Sequence, residues 1–306
     1  PIIPGDKSIS HRSIIIPSIS NGICEISNIL KSEDVLHTLN AFKAMGVKIL
    51  ENNKKIIIFG NGLNSLKKPQ NEIYLGNSGT SARLLTGLLS SQKFDCVLTG
   101  DNSLSRRPMK RIADPLSKMN AKIKTSNGTL PLNIKGSRLI PTRIELKIPS
   151  AQIKSGIILA SLNTKGETII IEDKVTRDHT ESMLKSFGAN IKVSKENNKK
   201  IINIVGEKEL TSKNIEIPND LSSCAFFIVA ALINKNSNIK LKNINNNPTR
   251  NGLIIALKRM GAKIDLFNKR TINNEPICDI DVISSDLKGC ELGPEIADLM
   301  IDEYPI

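Results

Sequence analysis

The stretch DVLHTLNAFKAMGVKI (34–49) decides the fold, because it does not stand alone. The same order returns in RPMKRIADPLSKMNAKI (107–123), RDHTESMLKSFGANIKV (177–193) and TRNGLIIALKRMGAKID (249–265). Each copy has apolar residues at helical spacing, then Gly46, Asn120, Gly188 or Gly261, then a short run of Val, Ile and Lys character. Gly and Asn tolerate the left-handed conformation that ends a helix, so each copy predicts helix, sharp turn and strand. The period is about 70 residues, the mark of a repeated supersecondary unit.

A second piece precedes each of these: DKSISHRSIII (6–16), GNSGTSARLLTGLL (76–89), PSAQIKSGIILASL (149–162) and PNDLSSCAFFIVAALI (218–233). These read as helices opening with small and hydroxyl residues. Strand-like runs at 55–59, 168–172, 201–205 and 239–241 lie between the pieces, bounded by Gly and Asn turn signals. The reading is an α/β fold of repeated βαβαββ units. IDEYPI (301–306) stands where a fifth small-residue helix is expected to begin. A half-unit cannot bury its own face, so the chain is expected to continue past Ile306, and its start at Pro1 implies residues before it.

The size, 306 residues, suits two domains. Apolar residues make up 39% and aromatics 3%, with no Trp, so the cores are built from Ile, Leu, Val and Ala. The 43 basic against 30 acidic side chains give +13, which suits small acidic substrates. The charge is thinly spread and two Tyr and seven Phe offer few stacking platforms, which argues against nucleic acid. Five scattered cysteines and three scattered histidines indicate neither a disulfide framework nor a metal site. No apolar run reaches membrane-spanning length and no signal peptide opens the chain, so a cytoplasmic setting is expected.

The openings of the small-residue helices carry the chemistry. A helix N-terminus presents unpaired N–H groups and the positive end of the dipole, which favours anions. Several open with Lys, Ser, Thr, Gly, Asn or Gln in the first turn. If the units pack about a pseudo-threefold axis, the N-termini converge on a site for a multiply charged phosphate compound.

Seven segments in order, PGDKSISHR (4–12), LGNSGTSAR (75–83), SLSRRPM (103–109), PSAQIKSG (149–156), TRDHTESML (176–184), PNDLSS (218–223) and IDEYP (301–305), resemble the 5-enolpyruvylshikimate-3-phosphate (EPSP) synthase family along essentially the whole chain. The resemblance implies the enolpyruvyl transferase fold: two similar domains, residues 7–217 with three units, and 1–6 plus 218–306 as an incomplete second domain. It also implies a site between the domains that closes on substrate. The implied activity transfers the enolpyruvyl group of phosphoenolpyruvate to the 5-hydroxyl of shikimate 3-phosphate, with no metal or organic cofactor, in a monomer.

Residue by residue, the resemblance assigns Lys7, Ser8 and Arg12 to shikimate 3-phosphate, with Lys7 also reaching phosphoenolpyruvate and serving as a proton donor. Gly79 and Asn77 fall where phosphoenolpyruvate approaches the backbone, and a side chain at Gly79 would intrude on it. Arg107 matches a phosphoenolpyruvate-binding arginine, suited to a bidentate grip. Ser150, Ala151 (through its backbone) and Gln152 match the group around the shikimate phosphate and ring hydroxyls, and Arg177 adds to the phosphate site. Asp302 matches the carboxylate at the 5-hydroxyl, the proton acceptor. Glu303 is its neighbour. Arg83, Lys154, His11 and His179 read as structural, and Arg106 as a solvated charge.

The family also carries a later Lys-Glu-Thr-Asp-Arg-like segment, an arginine and a lysine that this sequence lacks, so the 306 residues alone are expected to be inactive or nearly so. The nearest rival, the transferase acting on a UDP-sugar, calls for a reactive loop cysteine where Arg stands here around 103–109. A non-catalytic nucleic-acid-binding repeat protein leaves the ordered polar motifs unexplained.

Overall fold

The structure, a computed structural model, describes residues 1–52 and 55–306. The chain divides into a larger unit, Ser8–Ser27 with Lys31–Ile215, and a smaller one, Pro1–Lys7 with Asn28–Leu30 and Glu216–Ile306.

The repeat appears as structure. Its first copy is α1 (Lys7–Ser18), β1 (Asn21–Ser27), α2 (Glu33–Ala44), β2 (Lys48–Glu51) and β3 (Lys55–Asn61). The second runs β4 (Ile73–Tyr74), α3 (Gly79–Ser90), β5 (Cys96–Thr99), a 3-10 turn at Leu104–Arg106, α4 (Lys110–Lys118), β6 (Lys122–Ser126) and β7 (Thr129–Lys135). The third runs β8 (Arg143–Leu146), α5 (Ala151–Ser161), β9 (Glu167–Glu172), α6 (His179–Ser186), β10 (Asn190–Glu196) and β11 (Lys199–Val205). The second and third sheets share one plan, β4-β5-β7-β6 and β8-β9-β11-β10, with a parallel leading pair and antiparallel pairs after it. In the first sheet the leading place is taken by β12 (Ile215–Glu216), far along the chain, in the order β12-β1-β3-β2.

The four predicted helix stops are real and alike. Gly46, Asn120, Gly188 and Gly261 have φ of 83°, 68°, 90° and 95°. After each, the next N–H returns to a carbonyl five residues back: Val47 to Phe42, Ala121 to Leu116, Ala189 to Leu184 and Ala262 to Leu257, at 3.0–3.1 Å. This is the Schellman closure, which satisfies carbonyls the helix end would otherwise leave open.

Strands bury alternate residues, as in β3, where Ile56, Ile58 and Gly60 point inward and their neighbours do not. The small-residue helices are buried nearly all round: α1 from Ile9 to Ser18, α5 from Ile153 to Ser161, and α3 apart from Thr80 and Arg83. Small side chains make this possible. A Cβ at Gly87 of α3 would lie 1.9 Å from the Gly156 carbonyl oxygen of α5, so the two backbones nearly touch there. The buried hydroxyls donate back along their own helices, Ser13 to Ile9, Thr86 to Ala82 and Ser161 to Ile157, at 2.6–2.8 Å.

The smaller unit holds a fourth copy: α7 (Leu221–Ile233), β13 (Asn238–Asn245), α8 (Gly252–Arg259), β14 (Lys263–Ile272) and β15 (Glu275–Ile283), with sheet order β13-β15-β14. Asn219 bridges Ile244 in parallel where the leading strand sits in the other copies, and Gly5 bridges Asn219. Its core joins Leu221, Cys224 and Ile228 of α7 to Leu253, Leu257, Ile264 and Ile280. α7 is apolar all round yet buries only one face, leaving Phe226 65% and Ile233 66% exposed.

Beyond β15 lies α9 (Pro294–Ala297). The expected helix at 301–306 is instead a run of turns, with Glu303 N–H on the Met300 carbonyl and Ile306 N–H on the Glu303 carbonyl. Three-residue closures have formed in place of helical ones, and Pro305 has no N–H to contribute.

Candidate active site

The polar motifs of the larger unit gather at the first turns of α1, α3 and α5. α3 and α5 each open on a serine: Ser78 accepts from Ser81 N–H at 3.2 Å and Ser150 from Ile153 N–H at 3.4 Å. α7 uses Asp220 on Ser223 N–H in the same way, at 3.3 Å.

A basic cluster lies over the start of α3. Arg107 follows the 3-10 turn at Leu104–Arg106 and donates to the Asn77 side-chain oxygen at 2.5 Å. Arg83, four residues into α3 from Gly79, donates to the Gly79 carbonyl at 3.1 Å and to the Gln152 side-chain oxygen at 2.7 Å. The Gln152 amide in turn donates to Thr80 at 3.0 Å, which fixes the amide's orientation and ties α5 to α3. A Cβ at Gly79 would meet Arg83 Nη1 at 2.8 Å and Arg107 Nη1 at 2.9 Å, so both guanidiniums crowd the space that Gly79 leaves open. Burial, then Arg107 and Arg111, hold the Arg83 guanidinium below its usual pKa. Among the described residues no carboxylate forms an ion pair with Arg83 or Arg107. An anion arriving there would relieve repulsion as well as gain hydrogen bonds.

A second cluster joins α1, α5 and α6. Arg12 is 4% exposed. Its guanidinium donates to Thr180 at 2.7 Å, to Ser155 at 2.8 Å and to the Ser8 carbonyl at 2.8 Å. His11 is buried with Nδ1 2.8 Å from the Thr38 hydroxyl, which lies 2.5 Å from Ser81. Lys154 is fully buried, with Glu172 at 2.9 Å and Glu181 at 3.0 Å, and donates to the Thr176 carbonyl at 3.2 Å. Arg177, partly exposed, follows Thr176 directly.

The structure thus brings together Asn77, Gly79, Arg107 and Gln152 in one cluster, and Ser8 with Arg12 in the other. Ser150 and Ala151 open α5 beside Gln152. Lys7, exposed, is the first residue of α1, and both Lys7 and Asp302 belong to the smaller unit. Asp302 is exposed in the 301–305 turn, while the adjacent Glu303 is 2% exposed and accepts from Ser222. Sequence reasoning set Arg83 aside as structural and passed over Thr80. For Arg83 the i, i+4 spacing from Gly79 on a helix was the available signal; for Thr80 there was none.

The EPSP synthase (3-phosphoshikimate 1-carboxyvinyltransferase) family model matches residues 2–306. The chain belongs to the EPSP synthase family. It is 50% identical over 305 residues to the 3-phosphoshikimate 1-carboxyvinyltransferase of Ruthia magnifica subsp. Calyptogena magnifica, covering 99% of this chain and 69% of that protein. Against the protein of that name from Hydrogenovibrio crunogenus it is 45% identical over 308 residues, covering 99% and 69%. A solved EPSP synthase structure from Acinetobacter baumannii superposes with a TM-score of 0.91 at 47% identity, covering 100% of this chain and 69% of that one. The chain is therefore an α/β transferase of the EPSP synthase family, with that family's two-domain fold. No helix among its described residues is long and apolar enough to cross a membrane.

Proposed function

We propose that the chain serves in enolpyruvyl transfer from phosphoenolpyruvate to the 5-hydroxyl of shikimate 3-phosphate, in the shikimate pathway to aromatic amino acids. The observation that carries the site assignment is the pair Arg83 and Arg107 converging on Gly79 with no carboxylate partner among the described residues. In this reading Arg107, Asn77 and Gly79 hold phosphoenolpyruvate with Lys7, and Arg83 adds charge and orients Gln152. Ser8, Arg12, Ser150, the Ala151 backbone, Gln152 and Arg177 hold shikimate 3-phosphate. Arg12 acts with its hydrogen bonds to Ser155 and Thr180 already made, so it supplies alignment and charge more than a free grip.

The 5-hydroxyl attacks the central carbon of phosphoenolpyruvate and passes its proton to Asp302, while the methylene carbon takes a proton from Lys7. The methyl carbon of the tetrahedral adduct then returns one proton to Lys7 as the C–O bond to phosphate breaks, and the departing inorganic phosphate takes the proton held by Asp302, which leaves the enolpyruvyl ether. Two anions must be held together against repulsion, and the basic cluster with the helix N-termini lowers that cost. Residues 7–217 act as one three-unit domain, and the protein works as a monomer in the cytoplasm.

Calorimetric titration of shikimate 3-phosphate, with shikimate as control, tests the assignment. Phosphate-dependent binding that weakens about tenfold in Arg177→Ala is the expected result. Equal binding of the two compounds, or none by a folded chain, overturns it.

A further inference from the structure

Arg250 lies outside every motif assigned to substrate, yet it is 4% exposed and engaged by several side chains of the smaller unit. Its guanidinium donates to Asp6, to Asp220 at 3.2 Å and to the Ser222 hydroxyl at 2.5 Å. Ser222 passes the contact on by donating to Glu303. One planar cation thus joins a residue near the start of the chain, two residues at the opening of α7 and one near Ile306.

The mounting is rigid. Asp6 N–H donates to the Pro218 carbonyl at 2.8 Å and Asp220 N–H to the Pro4 carbonyl at 2.9 Å, locking those two segments side by side. Arg250 itself ends a loop whose Asn245 and Asn247 are buried against Glu275, and Arg250 N–H donates to the Asn247 carbonyl at 2.9 Å. Two buried carboxylates on one guanidinium, with Glu303 one hydroxyl away, make the arrangement expensive to assemble and hard to deform. Asp6 and Asp220 outweigh burial and raise the Arg250 pKa, while burial and Asp6 raise that of Asp220.

The neighbours of these carboxylates are what give the cluster meaning. Asp6 immediately precedes Lys7 and Glu303 immediately follows Asp302. Glu303 is drawn inward, while Asp302 beside it is exposed yet near enough to Arg250 for its carboxylate to act on the guanidinium. We propose that Arg250 is a positioning residue: through Asp6 and through Ser222–Glu303 it sets Lys7 and Asp302, the proton donor and acceptor, from one fixed point. This rests on the roles given to Lys7 and Asp302 under Proposed function.

Arg250→Met would strand Asp6 and Asp220 and is liable to unfold the unit, so the decisive variants are gentler. In the full-length enzyme Ser222→Ala is expected to lower kcat about tenfold with both KM values within about twofold, because a misaimed acceptor damages the transition state more than binding. Hydrogen exchange at the Glu303 and Ile306 amides should quicken, with the rest of the unit unchanged. Glu303→Gln, which keeps an acceptor for Ser222, should retain kcat within about threefold, and Glu303→Ala should match Ser222→Ala. If Asp302→Asn abolishes turnover but Ser222→Ala and Glu303→Ala leave kcat intact, or lower it without faster exchange at those two amides, the positioning role is overturned while the site assignment stands. If Asp302→Asn retains kcat, the assignment of Asp302 fails, and this inference with it.

Discussion

Lys154 on α5 and Glu181 on α6 meet at 3.0 Å with side chains only 0% and 3% exposed. Glu172 completes the group, and Lys200 reaches Glu181 at 3.2 Å. Two cations and two carboxylates inside the larger unit nearly balance, which is how charges are tolerated away from water. Glu181 belongs to the same TRDHTE run as Arg177, and that motif is an anchor: Thr180 holds Arg12, Glu181 holds Lys154, and Lys154 holds the Thr176 carbonyl.

Removing Lys154 should therefore cost more than an ordinary surface charge. Lys154→Met is expected to destabilise the chain by about 3–5 kcal/mol at neutral pH, because Glu172 and Glu181 lose their nearest buried cation and keep only Lys200, at 4.0 and 3.2 Å. Burial alone would lower the Lys154 pKa, but Glu181 and Glu172 outweigh it and hold the ammonium above the usual lysine value. A raised pKa means the stabilisation is complete at neutral pH and is lost only as pH climbs through the folded value, above about 10.4. Chemical denaturation of both proteins at pH 7 and pH 9 should give the same difference. A gap that closes by pH 9 contradicts this.

Two glycines of α3, Gly79 and Gly87, should respond differently to alanine. At Gly87 the new carbon meets backbone, the Gly156 oxygen at 1.9 Å, so α3 and α5 must separate. Gly87→Ala is expected to cost at least the ~1–3 kcal/mol of an overpacked core. At Gly79 it meets only the mobile ends of Arg83 and Arg107. Gly79→Ala should melt within a few degrees of the wild type while binding phosphoenolpyruvate about tenfold more weakly, since both guanidiniums are displaced. Calorimetry and thermal melts on the pair check both halves.

The Arg107–Asn77 bond separates charge from aim. Arg107→Ala should weaken phosphoenolpyruvate binding by about 2 kcal/mol or more, as loss of a charge-assisted bidentate contact does. Asn77→Ala leaves the charge in place but frees the guanidinium, so a smaller loss is expected. Titrations at low and high salt distinguish them. The Arg107 effect shrinks with salt, whereas the Asn77 effect does not.

Phe226 and Ile233 already face solvent on α7. Phe226→Ser with Ile233→Ser should leave the melting temperature within about two degrees, because surface changes of this kind stay near ±0.5 kcal/mol. Binding of an apolar dye should fall. A large loss of stability would mean that this face is covered in the folded protein.

Much of this was legible before any coordinates. The four stops at Gly46, Asn120, Gly188 and Gly261 announced four helix ends, and all four carry positive φ, because the constraint is local to a single residue's backbone. The helices at 6–16, 76–89, 149–162 and 218–233 were readable from composition, and His11 is the hydrogen-bonded scaffold residue it was expected to be. The helix expected at 301–306 was not found, because continuing a periodic pattern says nothing about Glu303 being drawn inward by Ser222.

The sequence by itself determined the repeat, the fold class and the family, since each depends on short-range pattern and ordered motifs. It could not decide which strand leads the first sheet, supplied by β12 from residues 215–216, nor that Arg83 belongs beside Arg107 over Gly79, nor that Arg250 gathers Asp6, Asp220 and Ser222. Those facts pair residues up to 244 positions apart, as Arg250 and Asp6 are. Local propensity has no term for such distances. Only the packed backbone, by fixing which helix starts and loops share a space, selects among the many charges that could have met.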